Sequence, residues 1–184
     1  MASAALARIK GVWAWAGTNK DQLTLLLALV AGVVTLLQYT SAVDDARSKE
    51  TLKYVDRSQS EHIGKAHTTL NAVMLDKALR DEFDKKLIAA LKPPHELSAL
   101  DAFVSKHGLR EHVLTLVDLY MNLAGCVKAG VCDEKLACDF FVSDITGLNN
   151  TYRPLFEKIW KERSGQNYMD GPMQFVKTCN RHAK

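Results

Sequence analysis

Motifs that identify common enzyme classes are missing from this sequence of 184 residues. It contains no Gly-x-Ser-x-Gly elbow, no Walker loop and no Gly-x-Gly-x-x-Gly fingerprint, so serine hydrolases, P-loop enzymes and dinucleotide-binding enzymes are not indicated. The Glu-x-x-His pairs with which helical bundles hold two metal ions are also missing. We therefore expect a protein that is not an enzyme and that needs no cofactor.

Charge of one sign and strand patterning are missing as well. The 24 basic and 21 acidic residues are mixed along the chain and leave a net charge of +3. Because a nucleic-acid-binding protein concentrates positive charge on one face, we expect no nucleic-acid partner. No segment alternates apolar and polar residues as a half-buried strand does. The composition, 47% hydrophobic and 24% charged, is that of a folded protein and excludes a disordered chain or a polytopic transporter.

The four cysteines include no Cys-x-x-Cys pair, which excludes zinc ribbons and thioredoxin-type sites. They are Cys126, Cys132, Cys138 and Cys179. An even number allows disulfides outside the cytosol, but a chain with this much aliphatic core does not need them, so we expect reduced, packed thiols. Cys132 precedes a predicted helix start, where the helix dipole favours a thiolate, and it is the candidate for a redox-active thiol.

Six histidines raise the question of a metal site. The densest group is His107, Glu111 and His112, but its histidines are five residues apart with Gly108 between them. Helical metalloproteases place their two histidines four apart on one face, so we expect no metal here. The alternative function that these residues allow is a redox- or metal-dependent enzyme or sensor that uses Cys132 and the nearby histidines.

A long uncharged segment, LTLLLALVAGVVTLLQY, runs from Leu23 to Tyr39. As a helix it measures roughly 26 Å, close to the hydrocarbon thickness of a bilayer, so residues 22–41 are predicted to span a membrane. The anchoring side chains are Leu23, Leu25, Leu26, Leu27, Leu29, Val30, Val33, Val34, Leu36 and Leu37. A cleaved signal peptide and a buried core helix are the alternatives, but the segment is long and has no polar stripe.

Residues 1–21, which precede this span, carry Trp13 and Trp15 beside two basic residues. We expect this segment to lie in the membrane interface, with Tyr39 at the opposite end of the span, because such rings are apolar but carry a polar group. Three basic residues before the span and four after it give no orientation by the positive-inside rule. The expected free thiols favour a domain in the cytoplasm.

The rest of the chain is predicted to be helical. Residues 42–67, charged and without proline, should continue the membrane helix as a stalk, and residues 68–184 should form a soluble domain of four to six helices. Three- and four-residue apolar steps predict helices over Leu70–Lys92 (one helix, or two with a break near Asp81), His95–Lys106, Leu109–Lys128 and Glu134–Thr146, then one capped by Thr151 and one over Met173–Asn180. Gly108 and Gly130 are predicted to end the helices before them, Asp133 to cap the helix that follows, and Phe140 and Phe141 to face inward. The fold class is therefore all-α.

An apolar helix, the turn Lys-Ala-Gly-Val-Cys-Asp over residues 128–133, an aromatic helix and the segment Leu-Phe-Glu-Lys-Ile-Trp-Lys-Glu-Arg follow one another. Together with the N-terminal membrane helix they resemble a family of bacterial membrane-anchored helical proteins known only as a domain of unknown function. The resemblance covers roughly residues 70–184 and implies a bacterial inner-membrane protein. We expect a membrane-tethered interaction module, an accessory or adaptor subunit whose partners are the bilayer and other membrane subunits or a second copy of itself.

Overall fold

The computed structural model describes residues 20–92, 97–163 and 167–182. Over these residues it contains helices and no strand, which confirms the predicted all-α class. The helices are α1 (Lys20–Ser58), α2 (Glu61–Leu75), α3 (Lys77–Leu91), α4 (Leu97–Lys106), α5 (Leu109–Lys128), α6 (Glu134–Arg163) and α7 (Asp170–His182). The chain divides into two compact units, Met1–Asp45 and Ala46–Lys184.

The first unit contains the apolar part of α1. Among the described residues, α1 is the one helix long and apolar enough to cross a membrane, with a mean hydropathy of 1.9 in its most apolar window. None of that window is buried, so the segment is not a core helix of a soluble protein. Thr35 Oγ1 donates to the carbonyl of Ala31 at 2.8 Å, which satisfies the hydroxyl within the helix. Length and composition of this kind are shared by membrane spans and signal sequences.

The second unit is built around α5, which contacts α2, α4, α6 and α7. Its predicted apolar stripe is buried, with no member more than 2% exposed: Leu109, Val113, Leu116, Val117, Tyr120 and Leu123. Steps of three and four residues place these side chains on one side of the helix. The sequence therefore identifies the central helix, and its predicted bounds are those observed.

An aromatic cluster joins α3, α4 and α6. The ring of Phe83 lies 5.7 Å from that of Phe103 and 5.6 Å from that of Tyr152, in tilted arrangements. Such tilted pairs add stability beyond the apolar area they bury. Because Tyr152 lies on α6, far along the chain from Phe83 and Phe103, the cluster fixes how the consecutive helices α3 and α4 pack on the rest of the core.

The break in the Leu70–Lys92 segment lies at Asp76, so the predicted position near Asp81 is wrong. Asp76 has an extended backbone, and its carboxylate accepts hydrogen bonds from the amides of Ala78 and Leu79 at 2.9 and 3.1 Å. It therefore supplies the N-cap of α3, satisfying donors that the first turn leaves free.

The predicted break between Thr146 and Thr151 is also wrong, because α6 continues from Glu134 to Arg163 with Pro154 inside it. Pro154, Leu155 and Phe156 are all buried. A proline inside a helix removes one hydrogen bond and costs about 3 kcal/mol or more, which burial of the neighbouring side chains can offset. Phe140 and Phe141 were both expected to face inward; Phe141 is buried, whereas Phe140 is 49% exposed.

The segment predicted as a stalk, residues 42–67, contains the end of α1 and the start of α2. The helix is interrupted between Ser58 and Glu61, where Ser60 is extended. Thr51, Val55 and Ile63 are buried and belong to the second unit. This part of the segment therefore packs into the domain.

We expect Leu123→Ala to lower the free energy of unfolding by about 2 to 5 kcal/mol, because Leu123 is fully buried and its truncation leaves a cavity. Leu75→Ala is the matched control: Leu75 is 84% exposed, so its loss should change stability by less than about 0.5 kcal/mol. Chemical denaturation of the two variants in detergent, followed by circular dichroism, measures both. Equal effects would contradict the assignment of α5 as the central helix.

Candidate functional site

The turn after α5 is closed by a disulfide between Cys126 and Cys132, whose Cα atoms are 5.3 Å apart. Gly130 adopts a left-handed backbone with φ 70°, and the amides of Val131 and Cys132 donate to the carbonyl of Cys126 at 3.1 and 3.3 Å. The chain therefore folds back on the last turn of α5, which is how the two cysteines meet. A cysteine in a last helical turn, followed by glycine and a second cysteine, was the available signal.

A second disulfide, Cys138–Cys179, joins α6 to α7 across a sequence separation of 41 residues, with the Cα atoms 5.6 Å apart. All four cysteines are therefore paired, and the expectation of reduced thiols is wrong. The physical reason is topological, because α7 returns along α6 and brings two distant cysteines together. Cys132, the redox candidate, is not a free thiol and is only 3% exposed, so it cannot act as a thiolate nucleophile in this state.

The disulfide-closed turn is held against α1 by a set of hydrogen bonds within the second unit. The Nε of Arg47 donates to the carbonyl of Gly130 at 2.9 Å, and the amide of Asp133 donates to Thr51 Oγ1 at 2.8 Å. Asp133 also receives a bond from the hydroxyl of Ser48 at 3.2 Å. We call these contacts, made by Arg47, Ser48, Thr51, Gly130 and Asp133, the turn clamp.

Asp133 is the N-cap that the sequence predicts for α6. Its Oδ1 accepts from the amide of Leu136 at 2.9 Å while its own amide is bonded to the buried Thr51. The residue therefore starts α6 and holds it to α1 at the same time. The partner on α1 was not foreseen, because nothing in the sequence relates two segments more than eighty residues apart.

The predicted anchor residues lie on α1, and those from Leu25 to Leu37 are between 45% and 65% exposed. Leu23 lies in the helix, but its side chain is outside the described residues. Tyr39 is 67% exposed. Trp13 and Trp15, expected in the membrane interface, lie outside the described residues.

The histidines do not form a metal site in the described part of the chain, where no group of three or more potential ligands is found. His107 packs its ring on Phe103, with centroids 4.4 Å apart, and its Nε2 is buried without a hydrogen-bond partner. His62 is exposed, whereas His67 is half-buried and lines a cavity.

A cavity of about 260 Å³ lies between α2, α5 and α6. Its lining residues are His67, Leu70, Asn71 and Met74 from α2, Leu116 and Tyr120 from α5, and Ser143, Asp144, Gly147, Leu148, Thr151 and Tyr152 from α6. Asn71, Ser143, Asp144 and Gly147 are exposed and form its mouth. Leu70, Leu116, Tyr120, Leu148 and Tyr152 are buried and form its floor.

The pKa values of two tyrosines in the floor of this cavity are raised. Burial raises the pKa of Tyr152 to about 12, and its hydroxyl is enclosed without a hydrogen-bond partner among the described residues. The pKa of Tyr120 is raised, first by burial and then by the negative charge of Asp144. Both phenols therefore stay neutral and can donate a hydrogen bond at any physiological pH. Perturbed groups that converge in a cavity are a physical indication of a binding site.

The model of one protein family, described as a domain of unknown function (DUF4760), matches residues 25–177 of the chain. The match extends from the apolar part of α1 into α7 and includes the cavity and the turn clamp. Neither a curated protein nor a solved structure matches the chain.

The two disulfides should stabilise the domain to different extents. A cross-link restricts the unfolded chain more when its loop is longer, so loss of Cys138–Cys179 should cost roughly 4 kcal/mol and loss of Cys126–Cys132 roughly 2 kcal/mol. The double variants Cys138→Ser/Cys179→Ser and Cys126→Ser/Cys132→Ser, compared by denaturation, measure the difference. Peptide mapping of the unreduced wild-type protein provides the control. Free thiols at these positions in freshly isolated protein would contradict the pairing.

Proposed function

Since the chain belongs to the DUF4760 family, a domain of unknown function, we propose its function from its own geometry: it is a membrane-tethered helical interaction module, an accessory or adaptor subunit of a larger membrane assembly. The observation that carries the proposal is that one chain contains both an exposed apolar helix and a disulfide-bonded helical domain. The apolar helix is stable in a bilayer, and the surface of the domain is available to a partner.

The tether is supported by the energetics of α1. Ten large apolar side chains from Leu25 to Tyr39 are 45% to 67% exposed, and no other described element covers them. Burying a leucine or valine side chain is worth about 1.5 to 3 kcal/mol, so a bilayer is strongly favoured over water for this segment. The expected roles of Trp13, Trp15 and Tyr39 at the two interfaces belong to this proposal.

The disulfides support a domain on the oxidising side of the membrane. Such bonds form in secreted and periplasmic proteins, while the cytosol keeps thiols reduced. The preference for the cytoplasm depended on reduced thiols, and it loses its basis with them. In a bacterial inner membrane, which the family resemblance implies, this domain faces the periplasm, and residues 1–21 face the cytoplasm.

The interaction surface is supported by apolar side chains that the folded domain leaves outside. Phe140 on α6 is 49% exposed, and Ile88 and Leu91 on α3 are 50% and 54% exposed. Ile88 and Leu91 are three residues apart, so they lie on one helix face. Aromatic and aliphatic side chains of this kind are enriched in the centres of protein interfaces. The partner is another membrane subunit or a second copy of the chain.

The orientation is tested with single added cysteines in the full chain. Asn150→Cys, exposed on α6, should react with a membrane-impermeant maleimide in intact spheroplasts, whereas Ser3→Cys should react only after lysis. The wild-type chain, with all four cysteines paired, is the unlabelled control. Labelling with the opposite pattern would refute the proposed side. A mature protein that lacks position 3 would instead show a cleaved signal sequence, and the tether would then be lost.

The interaction role is tested by photocrosslinking in native membranes. A photoreactive amino acid that replaces Phe140 or Ile88 should give one discrete crosslinked species. The reason is that in a specific interface the same atoms of the partner lie next to this position in every complex. Matched controls on the same helices are Asn150 and Lys85, both exposed and polar. Mass spectrometry of the product identifies a membrane subunit or a second copy of the chain. Equal crosslinking from all four positions, or none from Phe140 and Ile88, would count against the proposal.

A further inference from the structure

We propose that the cavity between α2, α5 and α6 binds a small organic cation, an ammonium group carried on a short apolar body. This site goes beyond the interaction role proposed above and does not depend on it. The proposal combines the shape of the cavity, the charge of its lining and the chemistry of its two tyrosines.

The cavity is built from three regular helix faces. His67, Asn71 and Met74 follow one another at three- and four-residue steps on α2, and Leu116 and Tyr120 are four apart on α5. Ser143, Gly147, Leu148, Thr151 and Tyr152 repeat the same steps on α6. Side chains at such steps lie above one another on a helix, so the lining is held by rigid elements throughout. Sites placed on helices position a ligand more accurately than sites on loops.

Gly147 lies at the mouth of the cavity, where it is exposed. A Cβ atom built on Gly147 meets no neighbouring side chain and no other helix within 4 Å, so a larger side chain there has open space to extend into. Glycine inside a helix is unfavourable relative to alanine, and nothing about the backbone of Gly147 requires it. The absence of a side chain at this position leaves the mouth of the cavity open to a ligand.

The charge of the lining selects the sign of the ligand. Asp144 is the one carboxylate among the lining residues, and neither lysine nor arginine is present there. Asp144 lies close enough to Tyr120 to contribute, after burial, to the raised pKa of that phenol. This carboxylate attracts a cation and repels an anion, and His67 is the one lining side chain that can carry a positive charge.

The two tyrosines complete the chemistry. Ammonium groups bind to the faces of tyrosine rings and donate hydrogen bonds to carboxylates and phenol oxygens. Tyr152 is 97% buried, and its hydroxyl has no hydrogen-bond partner among the described residues. An unsatisfied buried polar group costs stability, so a hydrogen bond from a bound ammonium group to this hydroxyl is favourable. Leu70, Met74, Leu116 and Leu148 supply an apolar wall for the body of the ligand.

The volume sets the size of the ligand. An engineered apolar cavity of about 150 Å³ holds one benzene molecule, so 260 Å³ has room for a ring with a short chain. The ligand is therefore smaller than a typical drug, whose sites measure about 300 to 1,000 Å³.

The charge preference is tested with three probes of one shape: 2-phenylethylamine, 2-phenylethanol and 3-phenylpropanoate. Calorimetric titration of the full chain in an uncharged detergent, with empty micelles as the blank, should show saturable binding of the amine with a dissociation constant below about 1 mM. The alcohol should bind at least about tenfold more weakly, and the carboxylate should not bind. Equal binding of all three probes, or no saturable binding of the amine, would overturn the proposal.

Four variants locate the binding. Asp144→Asn should weaken the amine by at least about tenfold, and Tyr152→Phe should weaken it by about threefold to tenfold. Gly147→Leu should obstruct the mouth of the cavity and prevent binding while the helix content is kept, since leucine is a better helix former than glycine. Gly125→Leu is the matched control, because Gly125 lies on α5 outside this cavity and likewise meets no atom within 4 Å. Unchanged affinity in Asp144→Asn and Gly147→Leu, with both folded, would place the amine elsewhere and refute the site.

An ammonium group can come from a free amine or from a lipid headgroup. The titration is therefore repeated in nanodiscs of phosphatidylethanolamine and of an uncharged glycolipid. Equal affinity in the two assigns the cavity to a free amine. A weaker apparent affinity for the amine in phosphatidylethanolamine than in the glycolipid, as competition for one site requires, assigns the cavity to the headgroup.

Discussion

The second unit depends on how the chain turns between α5 and α6. The left-handed Gly130 reverses the chain, the Cys126–Cys132 disulfide closes the turn, and Asp133 starts the next helix. The amide of Asp133 is bonded to the fully buried Thr51, so the same residue also fixes the position of α1. The hydroxyl of Thr51 also donates to the carbonyl of Arg47 at 3.0 Å, and the amide of Asp133 also donates to that carbonyl at 3.3 Å, so several hydrogen bonds share this contact. The turn clamp therefore couples the start of α6 to the first helix of the core.

Beyond this turn, α6 makes three further sets of contacts along its length. Cys138 joins it to α7, the face from Ser143 to Tyr152 lines the cavity, and Tyr152 also packs its ring on Phe83 of the aromatic cluster. One long helix thus contacts the covalent bridge, the cavity and the aromatic core. A rotation of α6 would disturb all three together, since side chains on one rigid helix move as a set.

Much of the architecture could be predicted from the sequence because it depends on local periodicity. The buried stripe from Leu109 to Leu123, the left-handed glycines at 108 and 130 and the cap at Asp133 all follow from spacing and residue type. The contacts that could not be predicted join segments that are distant in the sequence. Cys138 and Cys179 are separated by 41 residues, and no pattern within either helix shows that they meet. The bond between Thr51 and Asp133 is of the same kind.

The candidate site shows why one local error matters. The sequence predicted one helix that ends at Thr146 and another capped by Thr151, and the core does not permit the break between them. With a break there, Asp144 and Tyr152 would belong to different helices, and no common face would exist. The observed helix is continuous through Pro154, so Asp144, Leu148 and Tyr152 follow at four-residue steps and line one cavity. Burial of Leu155 and Phe156 favours the continuous helix over the local preference for a break. The cavity is therefore a product of tertiary packing, and the residues that line it could be recognised as a site only once the helix was known to be unbroken.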